Sequence, residues 1–520
     1  MSTDVDSVQP CQQDDWIFEF KRLGKNKKSF YDIPLSLAKQ KLFRFVLMYR
    51  VFIWLLQFLF NIWDFSTDAF KGIPVERGNI SILDRTVLRV FQGFHRWDAI
   101  HFVHIAEYGY AIENSLAFFP LLPVILRQLA SPLSIILNFQ VSCILVGSLL
   151  NMGLFCASAR LLYFVVKAVT HSDKQATIAV ILFAVNPASV FFSAIYTESV
   201  YSFLTFAGIA LMLCSESYFF LRFTLASTVF ALGYLTRSNG IMNIGYLWFY
   251  SVLEFLFVVV IKPKGDYELV KKTFIFKKGR LLTGFYIFLC TLLLTLAMVY
   301  IWLPLHVYSE HQRTRFCTED NLKQVPIHLK KLALRSEVAL IGAVDELTWC
   351  NEPFGLLPPF YKTIQLKYWN VGFLKYWMFS KLHCFLLASP TLFLIVYGVY
   401  QMFIELFHDG LLKTLAEQNG SFIPYTMHSL FIGLSAVFMF NTEVVTRMIF
   451  SSTPFPYLIL AKWMDSRTPR AKLSDIVHPD FLPFLSYFSW KGIPEFLVYL
   501  FFLSYSILGT TMHSMFLPFT

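Results

Sequence analysis

Residues 281–303 read LLTGFYIFLCTLLLTLAMVYIWL, 23 consecutive positions without one charged side chain. At about 1.5 Å per residue a helix of that length reaches about 35 Å, enough to cross the roughly 30 Å hydrocarbon core of a bilayer. The stretch reads as a transmembrane helix. Immediately before it, from Lys262 to Arg280, lie seven Lys/Arg and two acids. Basic residues collect on the cytosolic side of spans, so this cluster predicts which end faces inward.

Working outward, ten more apolar runs of comparable length appear. Together the eleven predicted spans cover about 43–64, 133–157, 176–195, 198–214, 218–236, 240–261, 281–303, 383–407, 422–441, 448–464 and 495–517. A shorter run at 116–130 is expected to dip into the membrane. Composition agrees: 56% of the chain is hydrophobic, 15% is charged and 57 residues are Phe. An average soluble domain carries roughly 25% charge. The chain is therefore an all-α polytopic membrane protein, which excludes a secreted disulfide scaffold, a disordered chain and a cytosolic enzyme. Its net charge of +10 belongs to the clusters beside apolar runs and not to a nucleic-acid patch.

A second basic cluster, eight Lys/Arg and the single acid Asp32 between Lys21 and Arg44, precedes the first run. Six spans separate the two clusters, so both face the cytosol. No signal peptide is read in the polar first forty residues. The expected organisation is a cytosolic basic tail, 1–42, and one integral-membrane catalytic domain, 43–520. Loops at about 65–115 and 304–382 and the C-terminus then fall on the luminal side. Asn79-Ile80-Ser81 is a luminal glycosylation sequon, whereas the Asn419-Gly420-Ser421 sequon is cytosolic and silent. Cys317 and Cys350 are the only cysteines in the second luminal loop and are expected to pair, two free thiols being the alternative. Cys11, Cys143, Cys156, Cys214, Cys290 and Cys384 read as tail or buried packing residues.

The first luminal loop carries the chemistry. Ile82, Leu83, Val87, Val90, Phe91 and Phe94 recur at helical spacing and predict an amphipathic helix on the membrane surface. It leads into Arg96-Trp97-Asp98-Ala99-Ile100-His101-Phe102 and then Glu107. A partly buried carboxylate at an interface suits general-base chemistry on a lipid-linked substrate. The same Asp98 would serve equally as a helix cap or as a partner of Arg96. Asp98, His101, His104 and Glu107 recur every three residues, but on one helix Asp98 and Glu107 point to opposite sides, so no metal site is expected. No Walker A sequence, internal repeat or low-complexity tract is present. Asp4-Val5-Asp6 sits in a polar tail without a strand pattern and reads as chance.

Other polar groups fall at the same ends of the spans. They include Thr197-Glu198, Thr236-Arg237-Ser238-Asn239, and Asn441-Thr442-Glu443 through Arg447. Asn186-Pro187 lies deeper and should kink its helix. Ionisable groups at such depth are expensive and usually functional, although interfacial anchoring is the plainer reading of each one singly. Together with Asp98 they outline a cavity open to the lumen. Arg237 or Arg447 would neutralise a phosphate there. A transporter or lipid scramblase would instead spread charge along the whole transmembrane path, whereas here charge gathers at one face.

RWDAIHF (96–102), AFFPLLP (117–123), NPASVFFSAIYTES (186–199), TRSNG (236–240) and the terminal FLPFT (516–520) occur in family order with a further stretch. That stretch runs from Tyr361 through Gln365 to YWNVGFLKY (368–376), with Tyr368, Trp369 and Asn370 at its head. These blocks resemble the GPI mannosyltransferase 2 family, and the likeness covers the chain from about Arg96 to Thr520. The tail to about Lys41 is longer than the family usually shows.

The resemblance implies a GT-C type glycosyltransferase of the endoplasmic reticulum membrane. Its donor would be dolichyl phosphate mannose and its acceptor a GPI precursor carrying one mannose, extended through an α-1,6 linkage. A β-linked donor giving an α product implies inversion with a single base, and Asp98 occupies the matching place. The expected substrate-binding set is Arg96, Trp97, His101, Glu107, Glu198, Arg237, Asn239, Gln365, Tyr368, Trp369, Asn370 and Arg447, in which Arg237 and Arg447 are assigned to the phosphate by their place at the span ends and not by the resemblance. No cofactor is implied, and a small stabilising membrane subunit is, because some relatives need one. Another dolichol-sugar transferase is the nearest enzymatic alternative.

Overall fold

The structure, a computed structural model, describes residues 35–65, 80–214, 218–256, 280–353, 355–410, 422–467, 476 and 492–519. The first 34 residues, the Lys262–Arg280 basic cluster except Arg280 itself, and both sequon asparagines, Asn79 and Asn419, lie outside the described residues. Helix α1 (Leu35–Phe60) is followed by three short helices, α2 (Ile82–Phe91), α3 (Asp98–Tyr108) and α4 (Leu121–Ala130). Next come α5 (Phe139–Thr170), α6 (Asp173–Ala184), α7 (Glu198–Leu213), α8 (Phe219–Tyr234) and α9 (Ile244–Leu256). Helix α10 (Arg280–Phe316) leads to α11 (Asp320–Gln324), α12 (Ile327–Ser336) and α13 (Pro359–Trp369). The chain continues through α14 (Leu382–Asp409), α15 (Ile423–Phe438), α16 (Val445–Ser452), α17 (Phe455–Arg467) and α18 (Ile493–Ser514). Among the described residues the sole β-pairing is an isolated bridge between Ile112 and Leu340.

Each of the eleven predicted apolar runs carries helix. Five described helices are long and apolar enough to span a bilayer, or six if α16 and α17, bent by 75°, count as one span. Eleven crossings are therefore not established by helix length and composition. The run at 116–130 becomes the ten-residue α4, packed between α3 and α5. Of the cysteines expected to be buried, Cys143 and Cys384 are, whereas Cys214 is exposed.

The largest departure lies at the run 176–195. Helix α6 stops at Ala184, and residues 185–197 continue without α-helix although every one of them is buried. Pro187 has no N–H to donate and disfavours helical geometry at Asn186, so the break is more than a kink. A broken helix frees carbonyl groups where no water can reach them. Arg50, fully buried in α1, satisfies them. Its Nη2 donates to the carbonyl of Ala184 at 2.8 Å and to Ser189 Oγ at 2.6 Å, and its Nη1 donates to the Ser189 carbonyl at 2.9 Å. The guanidinium lies 4.0 Å over the Phe155 ring.

Around this break the helices form one apolar core: α5 packs against α6 and α7, α7 against α8, α17 against α6, and the last helix, α18, against the first. A second, separate cluster lies where a long loop was expected. Tyr110, Leu116, Phe316, Leu329, Trp349 and Phe360 come from the segment after α3, the end of α10, α12, the stretch between α12 and α13, and α13 itself, and they build a small folded cap. Cys317 and Cys350 are disulfide-bonded within it, Cα to Cα 5.9 Å. At its centre Glu113, 1% exposed, accepts from Trp349 Nε1 (2.9 Å), Lys367 Nζ (2.5 Å) and Tyr368 OH (2.6 Å).

Candidate active site

The cap and the core meet at a cavity of about 430 Å3. Its first wall is set by α2 and α3. Ser81 caps α2 and exchanges hydrogen bonds with Asp84, a capping box. Asp84 is buried and also accepts from the Asn138 N–H at 2.8 Å, which fixes α2 against the start of α5. The expected amphipathic helix is therefore present, but it is pinned by a buried acid that its apolar pattern did not reveal.

At the entry to α3 the backbone of Trp97 has φ +52°. A bulky residue rarely adopts that sign, and such geometry gathers at functional sites. The inversion turns the Asp98 N–H toward Tyr196 OH, 3.2 Å away, and leaves the Asp98 carboxylate, 33% exposed, facing the cavity. Tyr196 OH also lies 3.4 Å from both the Arg96 carbonyl and His513 Nε2. The second wall comes from TRSNG. A Cβ at Gly240 would stand 2.6 Å from the Gly233 carbonyl oxygen, so only glycine lets this turn close on α8 and project Arg237 and Asn239.

The charges converge on Glu198, which is fully buried at the start of α7. Arg237 Nη1 lies 3.0 Å and Arg447 Nε 2.5 Å from its Oε1. The other end of Arg447, Nη2, reaches Asp98 Oδ2 at 3.0 Å, and its guanidinium lies 5.0 Å over both Phe191 and Tyr196. Aromatic rings complete the enclosure: Phe118 stacks on His101 at 4.5 Å and Phe119 on Tyr361 at 5.6 Å. Burial pushes the His101 imidazole below its ordinary value against the pull of Asp98, so it is neutral near pH 7. Burial likewise lowers His104, to about 3. Among the described residues no three His, Cys, Asp or Glu side chains assemble as a metal-ligand set.

Of the residues picked from the sequence, Trp97, Asp98, His101, Arg237, Asn239, Gln365, Trp369 and Arg447 line this cavity, and Glu198 lies directly behind it. Arg96 turns away to Asp64 (3.0 Å) at the end of α1. Glu107 accepts from Gln140 Nε2 at 2.5 Å, and Tyr368 belongs to the Glu113 cluster of the cap. Asn370 ends α13 in a left-handed conformation, φ +51°. Sequence reasoning passed over Phe118, Phe119, Tyr196, Tyr361 and His513 as lining residues. In a chain with 25 Tyr and 57 Phe, one more aromatic residue carries no signal.

These features define a polytopic helical membrane protein with a cavity that sets the Asp98 carboxylate against Arg447, beside the Glu198–Arg237 pair. The chain belongs to the mannosyltransferase (PIG-V) family, which matches residues 39–520. It is 30% identical to GPI alpha-1,6-mannosyltransferase 2 of Cricetulus griseus over 94% of this chain and 99% of that protein. It is 28% identical to GPI mannosyltransferase pigv-1 of Caenorhabditis elegans, over 92% of this chain and 80% of that one. Among solved structures it overlaps the Archaeoglobus fulgidus oligosaccharyltransferase crystallised with zinc and sulfate, at a TM-score of 0.40 and 11% identity, over 91% of this chain and 53% of that one.

Proposed function

We propose that this mannosyltransferase adds the second mannose to the GPI precursor in the lumen of the endoplasmic reticulum, through an α-1,6 linkage. Dolichyl phosphate mannose is the donor, and the fold is of the GT-C type with its N-terminus cytosolic and its C-terminus luminal. The observation that carries the reading is the Asp98 carboxylate, partly exposed in a cavity where, among the described residues, Arg237 and Arg447 are the only lysine or arginine lining groups.

The reaction is an inverting displacement. Asp98 takes the proton of the acceptor 6-hydroxyl while that oxygen bonds to the mannose anomeric carbon. The bond from that carbon to the phosphate oxygen breaks, and its electron pair leaves on dolichyl phosphate. Arginine side chains carry the developing phosphate charge, so the chemistry needs no nucleotide-binding metal. The cap covers the site and keeps water from competing for the mannosyl group.

Asp98→Asn keeps the shape of the side chain and removes its basicity. Mannose transfer in microsomes, normalised to immunoblotted protein, should fall about 10²–10⁴-fold at unchanged abundance. Trp97→Ala removes the ring 5.1 Å from Phe516 and should lower abundance as well as activity. Near-normal specific activity of Asp98→Asn would overturn the assignment.

A further inference from the structure

In the structure the base proposed above is not free. Asp98 is held by Arg447, and both arginines of the cavity are already in ion pairs, with Glu198 shared between them. Asp98 and Glu198 already occupy the two guanidiniums, and a third carboxylate, Glu443, lines the cavity as well, so a donor phosphate entering it meets no uncommitted lysine or arginine among the described lining residues. Burying an uncompensated anion is costly, so either the phosphate stays outside or an arginine changes partner.

Arg447 is built to change partner at one end only. Its Nε lies 2.5 Å from Oε1 of the fully buried Glu198, an ion pair without hydrogen-bond alignment, and its guanidinium face lies 5.0 Å over Phe191 and Tyr196. Its terminal Nη2 reaches the partly exposed Asp98 on the cavity side. The planar fork lets one edge stay fixed while the other is reassigned, which a lysine cannot do.

We propose that Arg447 exchanges Asp98 for the phosphate of the lipid-linked donor, so that donor binding unmasks the base; this rests on the donor and base assigned above. The charge bookkeeping of the reaction fits. The donor phosphate is a monoanionic diester and Asp98 an anion before transfer. After it, Asp98 holds the acceptor proton and is neutral, while the leaving dolichyl phosphate is a monoester carrying the extra negative charge. One negative charge thus passes from the carboxylate to the phosphate, and a cation bridging the two positions follows it with a small movement. A site arranged this way binds donor before it can deprotonate acceptor. Glu198 is then a positioning residue that acts through the two arginines.

The experiment uses the purified full-length chain in nanodiscs and measures binding of dolichyl phosphate without mannose, with dolichol and phosphatidic acid as matched lipids. Because Asp98 competes for Arg447, Asp98→Asn should bind dolichyl phosphate about 5–20-fold more tightly than wild type, a coupling of ordinary size between two ligands of one group. Arg447→Gln should bind it at least about tenfold more weakly, and in that background Asp98→Asn should change affinity less than about twofold. An affinity gain that persists in the Arg447→Gln background would mean simple charge repulsion and would overturn the exchange alone. Wild-type binding no tighter than that of dolichol or phosphatidic acid would overturn the donor assignment and the exchange with it. A second measurement needs no variant: dolichyl phosphate should increase carbodiimide labelling of Asp98 in the wild-type chain, read by peptide mass spectrometry. Decreased or unchanged labelling at saturating lipid would likewise overturn the exchange.

Discussion

The core and the cap each bury a charged residue, and they satisfy it by opposite means. In the core, Arg50 is answered by the carbonyls of Ala184 and Ser189 and by hydroxyls of Ser189 and Ser193, all neutral groups from a single break in one helix. In the cap, Glu113 is answered by side chains alone: an indole, an ammonium and a phenol, drawn from Trp349, Lys367 and Tyr368. The first arrangement repairs backbone that lipid cannot solvate. The second ties the segment after α3 to residues more than two hundred positions away, in the centre of the cap. A charge in the membrane core mends a local defect, whereas in the cap it acts as a clasp.

That contrast predicts unequal costs. Arg50→Met removes the only donor the described structure gives to the Ala184 carbonyl and leaves buried acceptors bare. Stability should fall by about 3–5 kcal/mol, the scale of breaking a buried charged network, and little folded protein should survive detergent extraction. Cys317→Ser opens a loop with a sequence separation of 33 residues in the cap, and chain entropy puts the loss at about 3–4 kcal/mol. Its thermal transition should fall while the core helices stay helical by circular dichroism. Glu113→Gln is the mildest, at about 1–3 kcal/mol, because the amide oxygen still accepts from the indole and the amide NH2 can donate to the Tyr368 hydroxyl once that hydroxyl turns, while the Lys367 ion pair, 40% exposed on the lysine side, is lost. If Glu113→Gln proved costlier than Arg50→Met, the clasp and the mend would have to trade places.

The sequence made the helical membrane class plain because a charge-free run such as 281–303 has no competing reading. It did not show where helices end. Helix α10 runs on to Phe316 through Glu310 and Arg313, since helical hydrogen bonding does not stop where hydropathy does. Conversely, α6 ends inside the predicted span 176–195, where Asn186-Pro187 signalled a kink but hydropathy, which reports burial and not backbone geometry, gave no end to the helix. In the site, Asp98, Glu198, Arg237 and Arg447 were legible because charge is scarce near apolar runs. Arg96 and Glu107 were drawn in by the same reasoning and face elsewhere, since proximity in sequence does not fix the direction of a side chain. The positive-φ turn at Trp97 had no signal at all, for no glycine marks it.

The Arg50 contact also has a consequence in time. Its guanidinium is synthesised 134 residues before its partner at Ala184, and Tyr196 is made 317 residues before His513. At about 5–20 residues per second, Arg50 waits about 7–27 s for its acceptors after it leaves the ribosome. During that interval the first span is poorly suited to lie alone in lipid, and it is better held at the insertion machinery until α6 arrives. Residues 185–197, buried in part beneath the last helix, stay open for longer still. The interior of this protein is therefore sealed from its end, when α18 docks against α1.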